Sequence, residues 1–133
     1  MTYLLDTHAL LWSIGQSSLL SATVRDLIRD RTNEVMVSSA SLWEISLKYG
    51  IGKLVLGSMA PDDIPGYCET LGFRILELDA GTASTYHTLP RIAEHRDPFD
   101  RMLAHQCIRL RAVLVTRDTR LACYEPYGLA CAW

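Results

Sequence analysis

Residues 1–12 read M-T-Y-L-L-D-T-H-A-L-L-W, and residues 112–118 read A-V-L-V-T-R-D. Each is a short apolar run, without polar alternation, that ends beside an acid. A strand apolar on both faces of its pleat has to be covered on both sides, as strands inside a parallel sheet are. The same pattern recurs outward from these two runs, predicting strands over 2–5, 34–38, 73–78, 112–116 and 129–132. The intervening segments carry helical spacing and predict helices over 7–13, 21–31, 39–49, 62–71, 79–89 and 97–111. Val24, Leu27 and Ile28 share one face of the second. Phe99, Met102, Leu103, Cys107, Ile108 and Leu110 give the last a stripe wide enough to pack on a sheet. Strands alternating with helices predict an α/β fold, a three-layer α/β/α sandwich around a mainly parallel central sheet.

At 133 residues the chain can bury one sizeable core, so residues 1–133 are expected to form a single domain. With 49% apolar and 21% charged residues it has ordinary globular composition, which excludes disordered and disulfide-scaffold classes. The opening stretch is broken by Asp6 and His8 and has no basic leader, so it does not read as a signal peptide, and no apolar run could span a bilayer. Cys68, Cys107, Cys123 and Cys131 form neither C-x-x-C pairs nor metal-ligand spacings with His. They read as buried thiols of a reducing compartment, and a cytoplasmic protein is expected. The formal charge of −2 argues against a nucleic-acid binder. Between Arg91 and Arg120, however, arginines outnumber acids, which leaves room for a local basic surface.

Ligands of open parallel sheets bind beyond the carboxyl ends of the strands. Asp6 directly follows the first strand and Asp118 follows the fourth. Glu44 lies about one and a half turns into the third helix, and Asp100 lies in the first turn of the last. Each has a purely structural explanation as a helix cap or capping-box member, and Asp97 before Pro98 has the strongest. Caps account for acids one at a time; they do not require several to converge on one sheet edge without matching bases. Converging carboxylates repel unless a cation neutralises them, and hard oxygen donors suit Mg²⁺ or Mn²⁺. Asp6, Glu44, Asp100 and Asp118 are therefore the candidate metal-binding and catalytic set, with no Cys or His set to compete. Such a centre suits phosphodiester hydrolysis, because the metal orients the phosphate and activates a water.

The blocks L-L-D-T-H-A-L-L-W, S-A-S-L-W-E-I-S-L-K-Y-G-I-G-K-L, R-D-P-F-D-R-M-L-A-H-Q and L-V-T-R-D, in this order across essentially the whole chain, resemble a VapC-type PIN-domain toxin. The resemblance implies a Mg²⁺- or Mn²⁺-dependent endoribonuclease that is silenced by a cognate VapB-like antitoxin and is commonly a homodimer. It matches Asp6, Glu44, Asp100 and Asp118 to the four acids of the family. It also matches Thr7 and Thr116 to hydroxyl residues that orient the acids or water.

Asp97 is kept as a helix cap that could also reach the metal through water. Lys48, four residues after Glu44, and Arg101, next to Asp100, are candidate substrate contacts against an ordinary surface role. His8 and the tryptophans Trp12, Trp43 and Trp133 read as packing or partner contacts. The surface over 42–56 is expected to receive the antitoxin. An aspartyl-phosphate phosphatase would need a second Asp where His8 stands; a non-catalytic RNA-binding module and a metal-dependent DNase are the remaining alternatives.

Overall fold

In the computed structural model, which describes residues 1–92 and 95–133, the apolar runs become five short strands. These are β1 (Thr2–Leu5), β2 (Glu34–Ser38), β3 (Arg74–Leu76), β4 (Val113–Val115) and β5 (Ala130–Ala132). They form one sheet in the order β3-β2-β1-β4-β5, and every pairing is parallel. Leu4 aligns with Met36 and Leu114, and Leu5 with Val37 and Val115. Because successive side chains alternate across a strand, this register sorts the apolar residues into two sets, one for each face.

The helices are α1 (Thr7–Gly15), α2 (Ala22–Arg29), α3 (Ser39–Gly50), α4 (Ile64–Leu71), α5 (Ala80–Thr85) and α6 (Pro98–Leu110). Leu5, Val37 and Val115 are buried with Ala9, Leu10, Val24, Ile45 and Ile64 of α1 to α4. Leu4, Met36 and Leu114 are buried with Leu103, Ala104 and Cys107 of α6 and with Leu121 and Tyr124. The three-layer arrangement thus follows from a sheet that is apolar on both faces.

The differences from expectation are local. The strand anticipated over 73–78 stops at Leu76, and the Leu78 amide donates to Ser39 Oγ (2.9 Å) rather than to a neighbouring strand. The helix anticipated over 79–89 ends at Thr85 and tightens into a 3-10 turn, Tyr86–Thr88, before Pro90. A 3-10 helix over Thr119–Tyr127, absent from the sequence reading, inserts the fully buried Tyr124 under the sheet.

The four cysteines form no disulfide. Cys68 and Cys107 are buried as expected, whereas Cys131 is exposed. No helix among the described residues is long and apolar enough to cross a membrane. Gly72 closes α4 with φ 79°, the left-handed conformation that favours glycine. Gly72→Ala is accordingly expected to cost about 1 kcal/mol in urea unfolding; an unchanged midpoint would show that this cap relaxes freely.

Candidate metal centre

The carboxyl edge of the sheet is tied together at the central strands: the Asp6 amide donates to the Val115 carbonyl (3.0 Å), so β1 and β4 end side by side. Asp6 caps α1 by accepting from the Ala9 amide (2.8 Å), and its carboxylate also bonds the Thr116 hydroxyl. Burial is the main cause of a raised Asp6 pKa, which those hydrogen bonds partly offset. Thr116 Oγ1 in turn accepts from the Asp118 amide (3.1 Å), so one hydroxyl connects two of the acids.

Glu44, buried on α3, accepts from Thr7 Oγ1 (2.5 Å) through one oxygen and from the Lys48 ammonium through the other. Lys48 also lies 5.8 Å from the centroid of the Phe99 ring. Asp97 accepts from the Phe99 and Asp100 amides (2.8 and 3.2 Å), the cap that Pro98 at the first helical position leads one to expect.

This cap fixes the first turn of α6 and aims Asp100 at the edge where the other acids sit. The Asp100 carboxyl is pushed up to about 7, first by burial and then by the charges of Asp97, Asp6, Glu44 and Asp118. Every other acid singled out in the sequence therefore acts on Asp100 through space. Asp118 departs in the other direction: its carboxylate is bonded by the Arg120 guanidinium (2.9 and 3.0 Å) and backbone amide (2.9 Å), which hold its pKa down to about 2.

The tightest donor set is not the anticipated four acids. One ligand atom from each of His95, Asp100 and Asp118 lies within 4.8 Å of the other two, whereas no donor of Asp6 or Glu44 joins this group. His95 Nε2 is 3.4 Å from Asp118 Oδ2 and 3.7 Å from Asp100 Oδ2. The expectation that no histidine competes for the centre is corrected here. His95 lies in a loop outside any periodic pattern, and its one sequence signal is its place just ahead of D-P-F-D. An oxygen-rich set with one imidazole fits a divalent cation of the Mg²⁺ or Mn²⁺ class, and such a charge would relieve the repulsion that raises Asp100.

Arg101 has a different placement from the substrate contact suggested by its position. Its guanidinium donates to the hydroxyls of Tyr124 (3.0 Å) and Tyr86 (2.7 Å) and to the carbonyls of Leu89 (3.2 Å) and Pro90 (3.4 Å), and it stacks over the Tyr86 ring at 4.9 Å. Each of its three nitrogens is thus engaged inside the protein. Lys48 retains a partly exposed ammonium beside Glu44. Trp12 packs edge-on against Trp133 (5.8 Å) and lies 5.6 Å from His8, and Trp43 packs edge-on against Phe99 (5.4 Å).

A doubly covered parallel sheet with acids gathered at its carboxyl edge defines a class of α/β proteins with an acidic centre. The family model of the PIN domain matches residues 3–125, and the chain belongs to the PIN-domain family. The same fold occurs in DNA-bound VapBC from Salmonella typhimurium, at 22% identity and TM-score 0.69, covering 99% of this chain and 97% of that one. It also occurs in VapBC2 from Rickettsia felis bound to a DNA fragment from the promoter, at 19% identity and TM-score 0.64, covering 99% and 98%. A third similar structure, FitAcB from Neisseria gonorrhoeae, has 22% identity and TM-score 0.61, covering 97% and 95%. A search of curated protein sequences found no match.

Proposed function

We propose that the protein is a divalent-metal-dependent endoribonuclease and the toxin of a toxin–antitoxin pair. The observation that carries this reading is the convergence of Asp6, Glu44, Asp97, Asp100 and Asp118 from four separate segments on one sheet edge, felt directly in the raised Asp100 carboxyl. When bound there, Mg²⁺ or Mn²⁺ would orient the scissile phosphate, acidify the attacking water and stabilise the leaving oxygen.

In this reading Asp100 and Asp118 hold the metal, Asp6 and Glu44 complete the negative field around it, and Asp97 keeps the first turn of α6 in place. Thr7 fixes one Glu44 oxygen and Thr116 links Asp6 to Asp118. Lys48 is positioned to meet a substrate phosphate beside Glu44. A cleft of about 530 Å³ next to the acids is lined by Arg91, Ile92, His95, Arg96 and Arg101. The exposed Arg91 and Arg96 supply the positive charge that an RNA backbone requires and that the net charge conceals.

The antitoxin reading is supported by the similar structures, whose names are those of VapBC and FitAB complexes. It is also supported by an apolar surface over α3 and the following loop. Trp43 is 63% exposed and Val55 87%, with Leu47 and Ile51 exposed between them. Beside them a cleft of about 410 Å³ is lined by Leu11, Trp12, Leu54, Leu56 and Met59. Exposed apolar side chains grouped in this way suit a protein partner.

The decisive experiment incubates antitoxin-free protein with total cellular RNA and with single-stranded DNA, in Mn²⁺, in Mg²⁺ and in EDTA. Discrete RNA fragments that vanish with EDTA are expected. Cleavage of DNA alone would move the reading to a DNase, and a folded protein that binds RNA without cutting it would move it to a binding module. Thr7→Val, which keeps the shape but removes the bond to Glu44, is expected to weaken Mn²⁺ binding about tenfold; unchanged affinity by calorimetry would detach Glu44 from the centre.

A further inference from the structure

His95 is not explained by the four-acid reading. Its side chain is 1% exposed, and neither ring nitrogen has a hydrogen-bond partner among the described residues. Buried polar groups are normally hydrogen-bonded, so a buried imidazole without a hydrogen bond at a functional edge calls for a ligand. Nε2 points between Asp100 and Asp118, at 3.7 and 3.4 Å from their nearest oxygens. Those separations exceed the range of about 2.7–3.2 Å for a hydrogen bond from nitrogen to oxygen. They are close to the spacing of donors that share an ion: atoms about 2.1 Å from one cation stand roughly 3.0–3.4 Å apart at right to tetrahedral angles.

We propose that His95 Nε2 is a metal ligand, giving the centre a His-Asp-Asp donor set that selects Mn²⁺ or a later first-row transition ion over Mg²⁺. This rests on the metal-nuclease reading and adds the identity of the preferred ion. Carboxylates alone accept Mg²⁺ and Mn²⁺ alike, whereas imidazole binds transition ions better than it binds Mg²⁺. The cation would also provide the partner that the buried Nε2 lacks, and the imidazole would link the centre to the arginine-lined cleft, whose wall it forms.

The test is pulsed electron paramagnetic resonance of the whole protein carrying one equivalent of Mn²⁺, prepared unlabelled and with ¹⁵N-histidine. Direct ligation gives a ¹⁴N modulation that changes on labelling. It should persist in His8→Asn, the other histidine close to the acids, and disappear in His95→Gln. Calorimetry should show Mn²⁺ affinity falling about tenfold or more in His95→Gln, with a much smaller change for Mg²⁺. If Mn²⁺ binds without a histidine-nitrogen modulation, or the modulation and affinity survive His95→Gln, the proposal is overturned while the metal-nuclease reading stands. If Mn²⁺ does not bind the wild-type protein, both fall. Should His95→Gln fail to fold, the labelled wild-type and His8→Asn spectra still decide the question.

Discussion

Asp100→Asn is expected to lower metal-dependent RNA cleavage by about 10²- to 10³-fold, since stabilisation by a catalytic metal is worth several kcal/mol. The same substitution is expected to stabilise the metal-free fold at neutral pH. The Asp100 carboxyl lies at about 7, against an ordinary value of 3.8, because burial and four neighbouring acids disfavour its charge. A raised carboxyl contributes stability that is fully present below pH 3.8, where folded and unfolded chains are both protonated. That stability is lost as pH rises toward 7, where the unfolded chain has released the proton and the folded chain has not. The total is at most about 4 kcal/mol. Asparagine has no proton to lose, so in EDTA the melting temperature of Asp100→Asn should gain on that of the wild type between about pH 4 and 7. Adding Mn²⁺ should reverse the order, because binding stabilises only the chain that retains its ligand. Parallel pH profiles for the two proteins would remove Asp100 from the centre of the acidic field, and retained cleavage in a folded variant would remove it from the chemistry.

Arg101→Ala is expected to destabilise the fold by about 3 kcal/mol, with any loss of cleavage following the loss of folded protein. Four acceptors converge on this one guanidinium: the hydroxyls of Tyr124 and Tyr86 and the carbonyls of Leu89 and Pro90. Hydrogen bonds to a charged donor are stronger than neutral ones, and removing the donor leaves the partly buried acceptors without it. Tyr124 has no exposed surface, so water cannot readily take the place of its lost partner. Arg101→Lys should recover only part of the stability, because an ammonium lacks the planar fork that reaches several acceptors at once. Urea unfolding checks both variants. A stable Arg101→Ala with weakened RNA binding would instead restore the phosphate clamp that its position beside Asp100 first suggested.

The repeat of strand and helix was legible in the sequence because each element announces itself locally. Apolar runs such as those over 2–5 and 113–115 can be satisfied only by cover on both faces, and helical spacing in 97–111 identifies the side that provides it. The cap at Asp97 was equally legible, since Asp before Pro at a helix start needs no knowledge of the rest of the chain. That Asp6, Glu44, Asp100 and Asp118 would share an edge followed from a rule about parallel sheets rather than from any one of them. Residues far apart in the chain were harder to read. His95, in a loop without a period, becomes a candidate ligand only when folding carries it to Asp100 and Asp118. Arg101 reads as a substrate contact or a surface cation until Tyr86, Leu89, Pro90 and Tyr124 are brought around it.

The α/β class and the alternation of its strands with its main helices are legible in the sequence, because periodicity, capping and strand burial are properties of neighbouring residues. The tertiary structure alone decided which carboxylates are bonded to Thr7, Lys48 or Arg120, which one is left with a raised pKa, and that a histidine stands among them. Those outcomes depend on burial and on distances of a few ångströms between segments that the chain connects only through its fold.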